Sequence, residues 1–380
     1  MKPTPVVIVG GGPAGLAAAG ALKQKGISST ILEAGESVGS SWRGHYERLR
    51  LHTVRGLSNL PGRPIPAEMG KWVARADLVA YLEDYATHFQ LEVRFGARAE
   101  KVTRERAGGW CVHTGTDELA AQTLVLATGY NRRPVLPDWP GREGFEGALL
   151  HSARYRNAEP YRGKRMLVVG SGNSGAEIAV DLVEGGAGEV LVSIRTAPNI
   201  QRREFLGIPT QVMGILAGKL PVPVADRLSL VLQRLGIGDL RPYGIDPPAR
   251  GVMSRIYEDA QIPLIDMGFL DALKARKLTV VPAVEGFEGR EVLLKGGRRV
   301  QPDAVVAATG FERALEPLVG SLGVLKPDGV PRVSGGATLP DAPGLHFIGY
   351  VNEPGGLLRK IRIDAEAIAE AVVAGARAAA

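Results

Sequence analysis

The succession strand, glycine loop, helix, strand occurs twice in this chain, and few sequence features constrain a fold as tightly. Pro5 to Val9 (PVVIV) is a short apolar run of the kind a buried parallel strand shows. Gly10-Gly11-Gly12-Pro13-Ala14-Gly15 follows at once, then an apolar helical pattern through Leu16, Ala19 and Leu22. A further strand, Ser29 to Leu32, ends at Glu33, 18 residues beyond Gly15. In such a loop Gly10 permits the tight turn, Gly12 lets a pyrophosphate approach the backbone, and Gly15 lets the helix pack on the strand. The helix N-terminus, with Pro13 and Ala14 in its first turn, offers amide donors to phosphates, and Glu33 is placed to accept hydrogen bonds from ribose hydroxyls. The loop therefore predicts a dinucleotide site.

The second occurrence begins at Arg165 to Val169 (RMLVV), passes through Gly170-Ser171-Gly172-Asn173-Ser174-Gly175, and continues into a helix through Ile178, Leu182 and Val183. Its following strand, Glu189 to Ile194, ends in Arg195 rather than an acid. A carboxylate there would repel a ribose 2′-phosphate, whereas a guanidinium pairs with it as a fork. Thr196 adds a hydroxyl donor, and Arg202 or Arg203 would reach the same phosphate if the chain folds back. The first loop is thus expected to hold FAD and the second, through Gly170, Gly172, Asn173, Ser174, Gly175, Arg195 and Thr196, NADPH.

Two loops 160 residues apart predict an α/β chain with two Rossmann-like dinucleotide-binding domains, each a parallel sheet with a small antiparallel layer. Thr123 to Tyr130 and Asp303 to Phe311 both close on Ala-Thr-Gly-aromatic, which brings Thr128 and Gly129 toward the first cofactor. Gly344 to Tyr350 is a late strand ending on Gly349, before a terminal helix expected to open near Asp364. The FAD domain is accordingly discontinuous, 1–156 and 311–380. The NADPH domain spans 157–310, with an insertion over about 200–268 in which an apolar pocket can form. Arg98 to Val112 reads as the antiparallel layer. Asp77 reads as the N-cap of a helix carrying Leu78, Tyr81, Leu82, Tyr85 and Phe89 on one face.

Composition removes rival classes. Gly is 50 of 380 residues, about 13% against an ordinary share of about 7%, in a chain otherwise of globular composition. One cysteine, Cys111, allows no intrachain disulfide, no CxxC pair and no multi-cysteine metal site, so no metal is expected and a thioredoxin-reductase-like enzyme is excluded. The net charge of +6 is scattered, which suits anionic ligands and argues against nucleic acid. No apolar stretch is long enough for a membrane span, and the three glycines at 10–12 break the pattern of a secretory signal. The expected location is cytoplasmic. The expected partners are a small-molecule substrate and O2, with a homodimer left open.

The motifs resemble the flavin-containing monooxygenases, most nearly the YUCCA branch and its bacterial relatives. Phe145-x-Gly147-x-x-x-His151-x-x-x-Tyr155 matches the family fingerprint at each fixed position, with Arg156 where Lys commonly follows. Gly39-Ser40-Ser41-Trp42-Arg43 is a variant of the flavin-contact segment, and Tyr46 to His52 (YERLRLH) is close to its YUCCA counterpart. GNSGAEIA at 172–179, GIPT at 207–210 and PLIDMG at 263–268 also match, so the resemblance spans essentially the whole chain. It implies that Trp42 and Arg43 lie beside the flavin. His52 falls where many members carry an Asn that helps hold the oxygenated flavin, a packing role being equally open. His151 is a catalytic candidate, with a structural role near the nicotinamide favoured.

The activity this implies is an FAD- and NADPH-dependent monooxygenase. Reduced flavin adds dioxygen as a 4a-hydroperoxyflavin and passes one oxygen atom to nitrogen, to sulfur or to a carbonyl, as in Baeyer–Villiger insertion or oxidative decarboxylation of a 2-oxo acid. The alternative served by the same loops is an NADPH oxidase or reductase producing hydrogen peroxide. A flavoprotein sensor of nicotinamide redox state is a third reading, and oxygen uptake with and without substrate separates the three.

Overall fold

Val6, Val7, Ile8 and Val9 are all buried, which is the situation of a central strand covered on both faces. They belong to β1 (Thr4–Val9), which is followed by α1 (Pro13–Gln24), β2 (Thr30–Leu32) and the single turn α2 (Ser40–Arg43). Next come α3 (Arg75–His88), β3 (Glu92–Arg94), β4 (Ala99–Arg104), β5 (Trp110–Thr114), β6 (Glu118–Leu126) and the short β7 (Arg133–Pro134). The computed structural model describes residues 4–106, 108–115 and 117–379.

The chain then forms β8 (Ala148–His151), β9 (Arg165–Val169), α4 (Asn173–Glu184), β10 (Glu189–Ser193) and β11 (Ile200–Arg202). A small hairpin, β12 (Glu204–Phe205) and β13 (Ile208–Pro209), precedes α5 (Thr210–Ala217), α6 (Val222–Ile237), α7 (Val252–Tyr257) and β14 (Leu264–Asp266). α8 (Phe269–Lys274), β15 (Thr279–Val281), the meander β16 (Val284–Glu288), β17 (Glu291–Leu294), β18 (Arg298–Val300), and β19 (Ala304–Ala307) follow. The return consists of β20 (Phe311–Glu312), α9 (Glu316–Val319), β21 (Leu345–Phe347) and α10 (Leu357–Ala379).

Two compact units result. The first comprises residues 1–44, 53–133 and 311–380, the second 45–52 and 134–310. In the first, β3-β2-β1-β6 pair in parallel, and β21 adds in parallel to the far edge of β6. The nine residues of β6 serve two layers. Its beginning pairs antiparallel with β5, which pairs with β4, while Leu124 to Leu126 pair with β21. In the second unit five parallel strands run in the order β15-β10-β9-β19-β8, beside the antiparallel β16-β17-β18. The α/β class with two parallel sheets and small antiparallel layers is the one expected from the sequence.

Four local features differ from the sequence reading. The first unit ends its central stretch at Arg133, and β8 pairs with β19, so residues 148–151 lie in the second sheet. Residues 45–52 also go with the second unit, where Tyr46 is buried in a core shared with Tyr155, Ile178 and Val180. Asp77 is not an N-cap: α3 starts at Arg75 after Ala74, with Asp77 in its first turn, although Leu78, Tyr81, Leu82 and Tyr85 are buried as expected. Finally, α10 opens at Leu357, seven residues before Asp364. Asp364 sits inside the helix, accepting from Ser334 Oγ at 3.1 Å and pairing with Lys360.

Candidate active site

The two glycine loops have nearly superimposable backbone requirements. Gly10 and Gly170 sit at φ of +114° and +120°, where a Cβ would lie 2.4 Å from the Ala127 carbonyl oxygen and 2.3 Å from that of Ala308. At Gly15 and Gly175 a Cβ would come within 1.8 Å of the Gly10 oxygen and 2.1 Å of the Gly170 oxygen, closer than any side chain tolerates. Gly12 and Gly172 are different. Their φ values, −84° and −79°, suit any residue, and a Cβ would meet no protein atom within 4 Å. Four of the glycines are thus required by the protein's own packing. The other two border open space at a helix N-terminus, in front of Pro13 and Ala14 in α1 and of Asn173 and Ser174 in α4, which is the cradle a pyrophosphate needs.

The residues that end the second strand of each fold also differ as charge logic requires. Glu33 is held by two backbone amides, Gly11 N donating to Oε2 at 2.6 Å and Gly35 N to Oε1 at 2.8 Å, so the carboxylate is fixed beside the first loop. Arg195 and Thr196 follow β10 and are exposed, and the Arg195 guanidinium has no hydrogen-bond or ion-pair partner among the described residues. The Thr196 carbonyl accepts from Ser171 Oγ at 3.3 Å, tying this turn to the second loop.

Elsewhere in the first unit, Thr128 and Gly129 follow β6 and Gly349 follows β21, so they lie at the same ends of adjacent strands. Tyr350, a residue the sequence reading treated only as a strand end, joins them. Its hydroxyl accepts from Thr128 N at 2.9 Å and meets Thr128 Oγ1 at 2.8 Å, and burial pushes its pKa up to about 12. Trp42 and Arg43 are in α2. The Arg43 side chain pairs with Glu83 of α3, while its carbonyl accepts from Arg75 at 2.7 Å.

The second unit gathers a polar cluster that sequence alone did not single out. His52 Nε2 lies 2.5 Å from Glu177 Oε1, and Glu177, on α4, is only 1% exposed. Its other oxygen, Oε2, is buried without a hydrogen-bond partner. Tyr46 packs beside it, its pKa raised first by burial and then by the Glu177 charge, and it also hydrogen-bonds Ser174. Arg203 turns inward rather than toward the second loop, donating to the Leu51 carbonyl at 2.6 Å, and burial lowers its pKa to about 10 against the opposing pull of Glu177. The signal in the sequence was a lone carboxylate among Ala176, Ile178, Ala179 and Val180, on a helix buried over most of its length.

Two expected site residues are committed to backbone. Asn173 donates to the Pro263 carbonyl at 3.2 Å and accepts from Ile265 N at 2.7 Å, so its side chain joins the second loop to β14. His151 accepts from Ala153 N at Nδ1 (3.1 Å) and donates from Nε2 to the Gly310 carbonyl at 3.0 Å. Burial lowers its pKa, and both ring nitrogens are already engaged. These two bonds tie the end of β8 to the backbone at Ala153 and Gly310. Where no metal was expected, donor atoms of Cys111, His113 and Glu118 approach within 4.8 Å of one another. The imidazole nitrogens there are taken by Thr103 at 2.7 Å and Glu118 at 3.0 Å.

A glycine-loop dinucleotide fold in each unit, one ending in a carboxylate and the other in a guanidinium, defines the class of the two-nucleotide flavoprotein oxidoreductases. Residues 7–205 match the family described as pyridine nucleotide-disulphide oxidoreductase. The chain is 35% identical to "Indole-3-pyruvate monooxygenase YUCCA1" of Oryza sativa subsp. japonica, over 90% of this chain and 86% of that one. It is 35% identical to "Indole-3-pyruvate monooxygenase YUCCA6" of Arabidopsis thaliana, over 80% and 75%. Among solved structures, a flavin-containing monooxygenase from Stenotrophomonas maltophilia superposes with a TM-score of 0.73 at 26% identity, covering 99% of this chain and all of the other. Cyclohexanone monooxygenase, at 17% identity and a TM-score of 0.76 over 99% of this chain and 88% of its own, shares the fold. The chain belongs to the flavin monooxygenase family, alongside the YUCCA-type enzymes, and is an oxidoreductase. No helix among the described residues is long and apolar enough to cross a membrane.

Proposed function

We propose that the protein is an FAD- and NADPH-dependent monooxygenase acting on a small organic substrate. The observation that carries this is the pair of open cradles at Gly12 and Gly172, with Glu33 beside the first and Arg195 beside the second. The first cradle suits a dinucleotide with free ribose hydroxyls, hence FAD rather than FMN, which has no adenylate half. The second suits a nicotinamide dinucleotide bearing a 2′-phosphate. When bound, the flavin supplies hydride acceptance and oxygen activation.

What the chain's own residues do is bind, orient and screen. Amides at the starts of α1 and α4 neutralise the two pyrophosphates. Glu33, fixed by Gly11 and Gly35, orients the first ribose, and Arg195 selects the phosphorylated coenzyme. His52 is oriented by the contact of its Nε2 with the buried Glu177 carboxylate.

For the substrate we favour a 2-oxo acid, since the relatives named above are indole-3-pyruvate monooxygenases. The overall balance is then R–CO–COOH + O2 + NADPH + H+ giving R–COOH + CO2 + H2O + NADP+. The test is to release the flavin by heat and identify it, then to follow NADPH, O2 and product with a panel of 2-oxo acids, ketones, thioethers and amines. Product formed in step with NADPH supports the proposal. Hydrogen peroxide matching all NADPH consumed, with every compound tried, replaces it with the oxidase reading.

A further inference from the structure

The insertion contains a cleft that neither glycine loop uses. It has a volume of about 800 Å³, counting the part open to solvent, and lies among β11, α5, α6 and α7. Ile200, Met213, Leu232, Ile237 and Met253 form apolar walls. Most polar groups that line it are already spent within the protein. Gln233 Oε1 accepts from Ile200 N at 3.0 Å, Ser229 Oγ donates to the Asp226 carbonyl at 2.8 Å, and the Thr210 hydroxyl donates to the Arg202 carbonyl.

Arg202 is the charged exception. It is a lining residue, it is exposed, and its guanidinium, like the side chain of neighbouring Gln201, has no hydrogen-bond or ion-pair partner among the described residues. On the facing helix α6, Gly236 leaves the wall recessed, since a Cβ there would meet nothing within 4 Å. An apolar cleft with one unpaired cation fits a ligand with an apolar body and a single anionic head. A neutral lipid leaves the guanidinium unused, and a polyphosphate brings more charge than one arginine neutralises against walls that cannot solvate it. A carboxylate matches the planar fork of the guanidinium with two parallel hydrogen bonds.

We propose that this cleft binds an apolar monocarboxylate, its head on Arg202 and its body along Gly236. The site does not depend on the redox reading above, because its readout is binding without turnover.

The experiment is calorimetric titration of the protein as purified with decanoate and, as the neutral control, 1-decanol. One decanoate per chain is expected, held more tightly than the alcohol. Arg202→Gln should weaken decanoate about tenfold and the alcohol little, in line with the loss of one charge-assisted pair. Gly236→Leu fills the recess while improving helix propensity, so binding of both should vanish with the melting temperature kept. Unchanged decanoate binding in Gly236→Leu, or equal weakening of acid and alcohol in Arg202→Gln, overturns the site. So does uptake of many molecules per chain insensitive to both substitutions, which would mark adsorption on the exposed residues Val224, Val231 and Leu235 of α6. Displacement of decanoate by NADP+ would assign Arg202 to the coenzyme phosphate and likewise end the proposal.

Discussion

His52 Nε2 and Glu177 Oε1 lie 2.5 Å apart across 125 positions of sequence, and the carboxylate is almost wholly buried. Glu177 also faces Tyr46 and the half-buried Arg203, so its charge acts on the whole cluster. Glu177→Ala removes the buried acceptor of His52 and the charge that faces Tyr46 and Arg203, which should cost about 1–3 kcal/mol in chemical denaturation. Glu177→Gln keeps an acceptor for His52 and should cost less. His52→Ala then separates roles: if His52 serves the oxygen chemistry, more NADPH ends as hydrogen peroxide. If it only packs, stability falls and the peroxide fraction stays as in the wild type.

The glycine loops allow a sharper contrast. Gly12→Val introduces a side chain into space no protein atom occupies, at a φ open to any residue. The protein should fold and be purified without its flavin. Gly15→Ala places a methyl 1.8 Å from the Gly10 oxygen and should prevent α1 from docking on β1, so little folded protein is expected. Flavin absorbance per chain, set beside circular dichroism, checks both. Full flavin content in Gly12→Val would remove the first loop from the cofactor site.

The contrast also marks what is readable in a sequence. Strands β1 and β9 and both loops are legible because much of what they demand is local: an apolar run, a positive φ at Gly10 and Gly170, and the close contacts of Gly15 with Gly10 and of Gly175 with Gly170. The Glu177 cluster was not, because it depends on residues 45–52 packing with a helix more than 120 positions later. The start of α10 was misplaced for a related reason. Asp364 resembles a cap when seen alone, but Gly356 at φ +87° breaks the preceding loop, and Asp364 is needed inside the helix to receive Ser334 and Lys360.

The proposed preference for NADPH makes a prediction at Arg195. A charge-assisted hydrogen bond contributes about 1.5–3 kcal/mol, or roughly 10- to 150-fold at about 1.4 kcal/mol per tenfold. Because Arg195 is exposed, solvent and salt move the expectation to the low end, about tenfold. Arg195→Gln should lower kcat/KM for NADPH by that factor and leave NADH nearly untouched. Measurement at fixed ionic strength with both coenzymes decides it. Equal losses would make Arg195 a support of the fold.

Acid should destabilise the protein through two buried imidazoles. His151, in the second unit, and His346, in the first, both have pKa values lowered from 6.5, chiefly by burial and against the hydrogen bonds they make to the carbonyls of Gly310 and Gly335. A neutral ring in the fold and an ordinary one in the unfolded chain give a definite sign. Stability is fully present above about pH 6.5 and is lost as pH falls through the lower folded pKa values, because the unfolded chain takes up the protons first. Each histidine adds at most about 1.4 kcal/mol per pH unit to that slope. His151→Gln keeps a donor near the Nε2 position and His346→Asn keeps one near Nδ1, so each preserves its bond to backbone without a titrating ring. Urea denaturation between pH 7 and 5 should show a steep loss in the wild type, a shallower one in either variant and the shallowest in the pair. A slope unaltered in the double variant would place the acid sensitivity outside these two imidazoles.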